Sequence, residues 1–379
     1  MSHPFASYRK LFPILESAVQ LSSCSQSALS LPVRNAALDY LKSWETRGAD
    51  WGYWMERVEA ARAGFARLIN ATPGDVALLS CVSDAASAVA SALQFSPGRN
   101  RIITTTLDFP SVCHVWLAQE RRGAQVKFVN AIPGNTEAGQ LVALHVDGQT
   151  ALVSVSHACF YDGQLTDITV TGDAARRVGA LQFVDAYQSA GAIDIDVQVQ
   201  RVDLLATGMQ KYLLGTPGVT FLYVAPALAA RLEPTVTGWF GRTEPFAFDP
   251  RKLDFAAGAQ RFNTGTPPML AASMAEAALG LLNEIGVQPI EAWLRRLSEV
   301  ALEEAGRLGL TVVSPTDVDA KGPTTAIRVR DAGAVERSMA REGFVVSARN
   351  DVIRVAPHFY NTEDDVVRAL RTLARLMHT

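Results

Sequence analysis

The run "ATGMQKYLLGTPG" (206–218) sets one lysine, Lys211, in an almost uncharged stretch, with apolar "VDLL" before it and "VTFLYV" after it. Desolvation disfavours the ammonium form, so a lysine enclosed by apolar strands shifts toward the neutral amine, a nucleophile. A second residue with chemical potential, Asp185, ends the apolar run "ALQFVD" and is followed by "AYQSAGAIDID". That pattern places Asp185 and Gln188 on a turn directly after a buried strand.

In open α/β sheets, ligands bind beyond the carboxyl ends of strands. A carboxylate and a lysine at two such ends suit pyridoxal phosphate: the amine condenses with its aldehyde, and the acid keeps the pyridine nitrogen protonated, so that the ring becomes an electron sink. The same two residues also suit a structural buried ion pair. A phosphate needs its own cradle, and "LLSCVSDAASAVASAL" offers a strand followed by a helix start, where free amides and the helix dipole favour an anion. Ser83, Asp84 and Ala85 are the candidates there, and a plain N-cap at Ser83 is the competing assignment.

These residues need a scaffold, and the chain supplies its pattern. Apolar runs "DVALLS" (75–80), "RIITTT" (101–106), "QVKFV" (125–129), "TALVSVS" (150–156), "ALQFVD" (180–185), "VDLLATG" (202–208) and "VTFLYVA" (219–225) read as strands. Helical patterns at 57–69, 83–93 and 173–179 alternate with them. Nearly continuous apolar strands separated by helices predict an α/β domain with a sheet covered on both faces. Beyond Pro268 the texture changes to helices over 269–285 and 290–308, strands at 310–313, 324–330 and 352–355, and a final helix over 363–377. The expected organisation is an N-terminal arm (1–30), a large α/β domain (31–268) and a smaller C-terminal α+β domain (269–379).

Bulk properties narrow the function. The 379 residues are 48% apolar and 19% charged, enough for large buried layers and unlike a disordered chain. A net charge of −3 without a basic patch argues against nucleic-acid or anionic-membrane partners. Cys24, Cys81, Cys113 and Cys159 form no C-x-x-C pair, so neither a disulfide framework nor a metal site is expected. The N-terminus lacks a signal-peptide pattern, and no apolar run reaches membrane-spanning length, which gives a cytoplasmic expectation. No G-x-G-x-x-G follows an early strand, which sets a nicotinamide dehydrogenase aside.

The blocks "VDAYQSAGAIDID…VDLLATGMQKYLLGTPGVTFLYV", "RFNTGTPP" (261–268) and "IRVAPHFYNTEDDV" (353–366) resemble, in order, the signature blocks of the aminotransferase class V family of pyridoxal-phosphate enzymes. The resemblance spans about residues 75–379 and implies fold type I, with a mostly parallel seven-stranded sheet, and a homodimer with shared active sites. It implies Lys211 as the cofactor-linking lysine, Asp185 as partner of the ring nitrogen and Gln188 as partner of the ring hydroxyl. "DFPS" (108–111) is similar to a kynureninase block, which implies Phe109 stacking on the ring; core packing is its other role. Thr266 is implied at the phosphate of the partner subunit, with Gln210 and Thr207 as further phosphate donors. Arg354 is implied at the substrate α-carboxylate, as a bidentate guanidinium suits, with a salt bridge as its alternative. "SHACFYDGQLTDI" and "GWFGR" bring in Tyr161 and Trp239 as pocket residues or as ordinary packing, and His358 is expected to be structural.

The chain departs from two branches of that family. "GFVVSARNDVIRVAP" holds no cysteine before the arginine, unlike the desulfurases. Kynureninases carry histidine where Gln188 stands, tyrosine where Gln210 stands, and asparagine where Thr266 stands. The expectation is therefore an enzyme acting on an amino acid through its α-amino group, of aminotransferase type. A β-eliminating C–S or C–Se lyase is the rival within the enzymes, and a non-catalytic binding protein the rival outside them.

Overall fold

The chain is described by a computed structural model over residues 3–377. Its strands are β1 (Val19–Gln20), β2 (Val76–Leu79), β3 (Arg101–Thr105), β4 (Gln125–Val129), β5 (Thr150–Ser156), β6 (Leu181–Asp185), β7 (Leu204–Gly208) and β8 (Thr220–Val224), followed by β9 (Thr325–Arg328), β10 (Phe344–Val345), β11 (Ser347–Arg349) and β12 (Val352–Val355). Its helices are α1 (Leu31–Arg47), α2 (Trp51–Leu68), α3 (Val82–Ala92), α4 (Pro110–Ala118), α5 (Ala138–Ala143), α6 (Ile168–Arg177), α7 (Pro226–Ala229), α8 (Met269–Ile285), α9 (Val287–Arg307), α10 (Ala332–Arg341) and α11 (Glu363–Met377).

Seven strands form the main sheet in the order β2-β8-β7-β6-β5-β3-β4. Only β8 runs against the others, pairing antiparallel with both β2 and β7. Strands β2, β7 and β8 are buried along their whole length, which is why they read as unbroken apolar runs rather than as an alternation. Because β3, β5, β6 and β7 are parallel, their carboxyl ends share one edge. Asp185 and Ser156 end their strands there, and Phe109 and Lys211 lie in the loops just beyond. The polar residues converge because the topology is parallel.

The second sheet is small and antiparallel, ordered β11-β12-β9, with α9 and α10 beside it and α11 packed on those two helices. Two sequence expectations change here. Residues 310–313 make only an isolated bridge, Val312 to Ile327, held by the Val313 amide on the Ala326 carbonyl and the Arg328 amide on the Thr311 carbonyl (both 2.9 Å). The predicted helix at 173–179 is the second half of α6, whose N-cap Asp167 accepts from the Thr169 and Val170 amides and so starts the helix five residues early. The sequence pattern also missed α1, whose exposed leucines blur its amphipathic stripe, and the helix α4 that follows Phe109.

The N-terminal segment does not hang free. β1 pairs in parallel with β10, and Phe5 and Phe12 pack edge-on against Phe359. Residues 24–28 then cross to the loop around Lys211: the Ser27 amide donates to the Gln210 carbonyl (3.0 Å) and the Ala28 amide to the Tyr360 hydroxyl (3.1 Å). The arm thus joins the small sheet to the lysine loop. No single helix among the described residues is long and apolar enough to cross a membrane.

Candidate active site

A cleft of about 320 Å3 opens at the carboxyl edge of the main sheet, and Lys211, Asp185, Gln188, Gln210, Phe109, Ser83 and Arg354 all line it. Lys211 stands in a turn closed by the Leu214 amide donating to its carbonyl (3.1 Å), with buried Leu214 in the left-handed region at φ 62°. That conformation is uncommon for a branched residue and is held by the packing around it. The Lys211 ammonium donates no hydrogen bond among the described residues and sits 4.3 Å from the Tyr187 ring centroid and 5.6 Å from that of Phe109. Burial lowers its pKa to about 8, against a smaller upward pull from Asp185. An appreciable share of it is therefore the neutral amine near pH 8.

Asp185 is 5% exposed, and its Oδ1 accepts from the Tyr187 amide at 2.9 Å. Desolvation raises its pKa to about 6, with the Tyr187 amide and Lys211 pulling the other way. Such a carboxyl is built to share a proton with a ligand. Gly208 makes room for the Tyr187 ring, since a Cβ there would lie 2.2 Å from the tyrosine oxygen. The Tyr187 hydroxyl in turn donates to Gln210 Oε1, which ties the turn after β6 to the residue before the lysine.

Asp108 fixes the opposite wall. Its Oδ2 accepts from the Thr105 amide (2.8 Å) and its Oδ1 from the Ser156 amide (2.6 Å), clamping the ends of β3 and β5 and so setting Phe109 at the N-cap of α4. Phe109 meets Phe160 edge to face, with centroids 5.1 Å apart. Gln188 donates to the Cys24 carbonyl (3.1 Å), leaving its buried Oε1 without a partner.

Arg354, fully buried on β12, donates to the Phe160 carbonyl (2.7 Å), Ser25 Oγ (2.9 Å) and Ser347 Oγ (2.7 Å), and its Nε is unpartnered. Every acceptor is neutral. A buried cation without a counter-charge is costly, so the geometry is one that an incoming carboxylate would complete.

Several expected site residues lie elsewhere. At the anion cradle the cleft is lined by Cys81, Val82 and Ser83; Asp84 faces solvent, and the Ala85 amide is taken by the Cys81 carbonyl (3.1 Å), because α3 begins one residue before Ser83. Thr207 is buried inside β7 with its hydroxyl donating to the Gly208 and Ala186 carbonyls. The Tyr161 hydroxyl is bonded to Asp351 (2.6 Å), and its neighbour Phe160 takes the wall position. Trp239 belongs to a surface cluster with Phe246 and Phe248, and Thr266 lies on an exposed loop, so within one chain neither reaches the cleft. His358 is buried, with Nε2 at the Tyr212 carbonyl (2.9 Å) and its pKa lowered to about 4 by burial, where it props the lysine loop. The sequence reading missed Cys24, Ser25, Tyr187 and Arg349, which also line the cleft. The arm residues carry no local signal, whereas "ARNDVIR" does show a second arginine five residues before Arg354.

The residues fit pyridoxal phosphate: a free amine, a buried acid, an orphaned amide oxygen and a helix start converge on one cleft. A family-wide sequence profile described as "Aminotransferase class-V" matches residues 32–369. The chain belongs to the aminotransferase class-V family. It is a pyridoxal-phosphate-dependent enzyme acting on amino acids. It is 40% identical to "Uncharacterized aminotransferase YcbU" of Bacillus subtilis over 99% of this chain and 98% of that protein. It is 26% identical to a "Probable cysteine desulfurase" of Methanothermobacter thermautotrophicus, over 97% of each chain. Among solved structures, the apo cysteine desulfurase of Thermococcus onnurineus superposes with a TM-score of 0.88 at 20% identity, covering 100% of this chain and 99% of that one. The shared architecture is the mostly parallel seven-stranded sheet of fold type I.

Proposed function

We propose that this class-V enzyme is an aminotransferase, using Lys211 to hold the cofactor and Arg354 to hold the substrate α-carboxylate. The observation that carries this reading is Arg354, a buried guanidinium with only neutral partners in the cleft that Lys211 lines. Bound pyridoxal phosphate supplies an electron sink for negative charge developing at the substrate α-carbon. Asp185 would keep the ring nitrogen protonated, Gln188 would meet the ring hydroxyl, and Phe109 would lie against the ring. Ser83 and the free amides that open α3 would hold the phosphate, with Gln210 near it. The free Lys211 amine, with its pKa lowered to about 8, would take the α-proton and return it to another carbon, as a base and acid near neutral pH should.

Leu38, Leu41 and Trp44 on α1, and separately Phe246 and Phe248, are large apolar side chains left exposed, which supports a homodimer in which Thr266 and Trp239 face the partner's cleft. We also propose the three-part organisation of arm, large domain and small domain divided near 30 and 268, with α8 lying across α1 and α2 as the bridge. Four unpaired cysteines support a cytoplasmic setting.

The test is to reduce the holoenzyme with hydride and map the pyridoxyl group by peptide mass spectrometry. An adduct on Lys211, absent from Lys211→Ala, is the expected result; an adduct elsewhere or none would remove the assignment. Keto acid formed from an amino-acid panel without any amino acceptor would replace transamination by β-elimination. A single-subunit species on sedimentation would remove the dimer.

A further inference from the structure

Arg349 is the second guanidinium in the cleft, and the reading of Arg354 leaves it without a role. It sits on β11, where Arg349 pairs with Val352 and Ser347 with Arg354 in antiparallel register. Side chains alternate along a strand and cross-strand partners share a face, so Arg349 and Arg354 project from the same side of the small sheet as diagonal neighbours. The two differ in how they are held. Arg354 is pinned by three neutral acceptors. The Arg349 side chain makes no hydrogen bond or ion pair among the described residues; its Nε is buried and unpartnered, and its guanidinium lies 5.9 Å from the Phe160 ring centroid.

No carboxylate among the described residues forms an ion pair with either arginine. Burial first and the neighbouring Arg354 second depress the Arg349 pKa, and Cys24 and Glu336 act in the opposite sense with smaller effect. The Glu336 carboxylate accepts from the Ala348 amide through Oε1 (2.8 Å) and makes no ion pair with Arg349. Lys211, Arg349 and Arg354 thus share the cleft with Asp185 as its sole carboxylate. Asp185 faces the ring nitrogen in the reading above, and the phosphate has its own amides at α3. One substrate carboxylate satisfies Arg354, and a second anion is needed to satisfy Arg349.

Resting on that reading of the site, we propose that Arg349 selects the substrate side chain, and that the substrate is an acidic amino acid whose second acid group pairs with Arg349 while its α-carboxylate pairs with Arg354. The pinned arginine serves the part common to all amino acids. The unpinned one adapts to the variable part.

Succinate and glutarate, with their monoamides succinamate and glutaramate, test this without turnover, because all four lack the amino group. Calorimetric titration of the wild-type holoenzyme is expected to show each diacid binding about tenfold or more tighter than its monoamide, as a charge-assisted bond allows. Arg349→Gln should bring that ratio to about one, Arg349→Lys should retain part of it as evidence of an intact fold, and Arg354→Gln should weaken all four ligands. Absence of a diacid preference in the wild type overturns the proposal. So does a loss in Arg349→Gln that falls equally on diacid and monoamide, which would mean that both arginines serve one carboxylate, or a loss of cofactor retention in its place. Failure of the cofactor reading is recorded separately, as a missing pyridoxyl adduct on Lys211, whatever the ligand ratios are.

Discussion

Replacing Asp185 by asparagine in the cofactor-free protein should change the pH dependence of stability in a defined direction. Desolvation raises the folded-state pKa of Asp185 from 3.8 to about 6, so between these values the native protein holds a proton that the unfolded chain has lost. Stability contributed by this group is present below the unfolded value and is lost as pH rises through the folded one. The difference corresponds to about 3 kcal/mol at pH 7, as an upper figure for one buried carboxyl. Asparagine has almost the same shape and keeps an oxygen for the Tyr187 amide, so it removes the charge while leaving that hydrogen bond in place. Urea unfolding followed by circular dichroism from pH 4 to pH 8 measures the effect. Wild type should weaken between about pH 4 and pH 6, Asp185→Asn should stay flatter, and the two should coincide at the acid end. Parallel curves across the range would refute the claim that burial destabilises the Asp185 carboxylate. The same variant should lose affinity for pyridoxal phosphate, since the ring nitrogen would face an amide rather than an acid. A residue gaining stability in the empty protein while losing function is the expected mark of a binding group.

Two further substitutions examine other parts of the site. Arg354→Met fills a buried position without charge and should raise KM for every amino acid by roughly a hundredfold, with kcat changed less, read in steady-state assays. An unchanged KM would detach Arg354 from the α-carboxylate. Gly208→Ala pushes a methyl group against the Tyr187 ring, and should lower stability by about 1–3 kcal/mol and disturb the Lys211 environment, as checked by denaturation and by the pH dependence of lysine modification. A neutral outcome would show that Tyr187 swings aside freely.

The sequence by itself determined the seven main strands, the place of Asp185 at a strand end and of Lys211 just beyond one, and the family, because most of these strands are buried and are written as local apolar runs, with the reactive residues close behind them in the chain. It also carried Arg354, Gln188 and Phe109 through the family blocks. Only the tertiary structure decided which neighbours share the cleft. Cys24 and Ser25 reach it because the arm pairs with β10 and crosses to the lysine loop, contacts between residues 184 to 329 positions apart that leave no local trace. Phe160 rather than Tyr161 forms the wall because Asp351 holds the tyrosine hydroxyl. Thr207 points into the sheet because its hydroxyl finds backbone acceptors there, and α3 starts one residue early because Cys81, not Ser83, is its N-cap. Whether Arg349 and Arg354 lie on one face depended on the β11–β12 register, a property of pairing that a one-residue slip would reverse. Local pattern fixes an element and its ends; the choice of cleft neighbours is made by long-range pairing, where the energies of many distant contacts are summed.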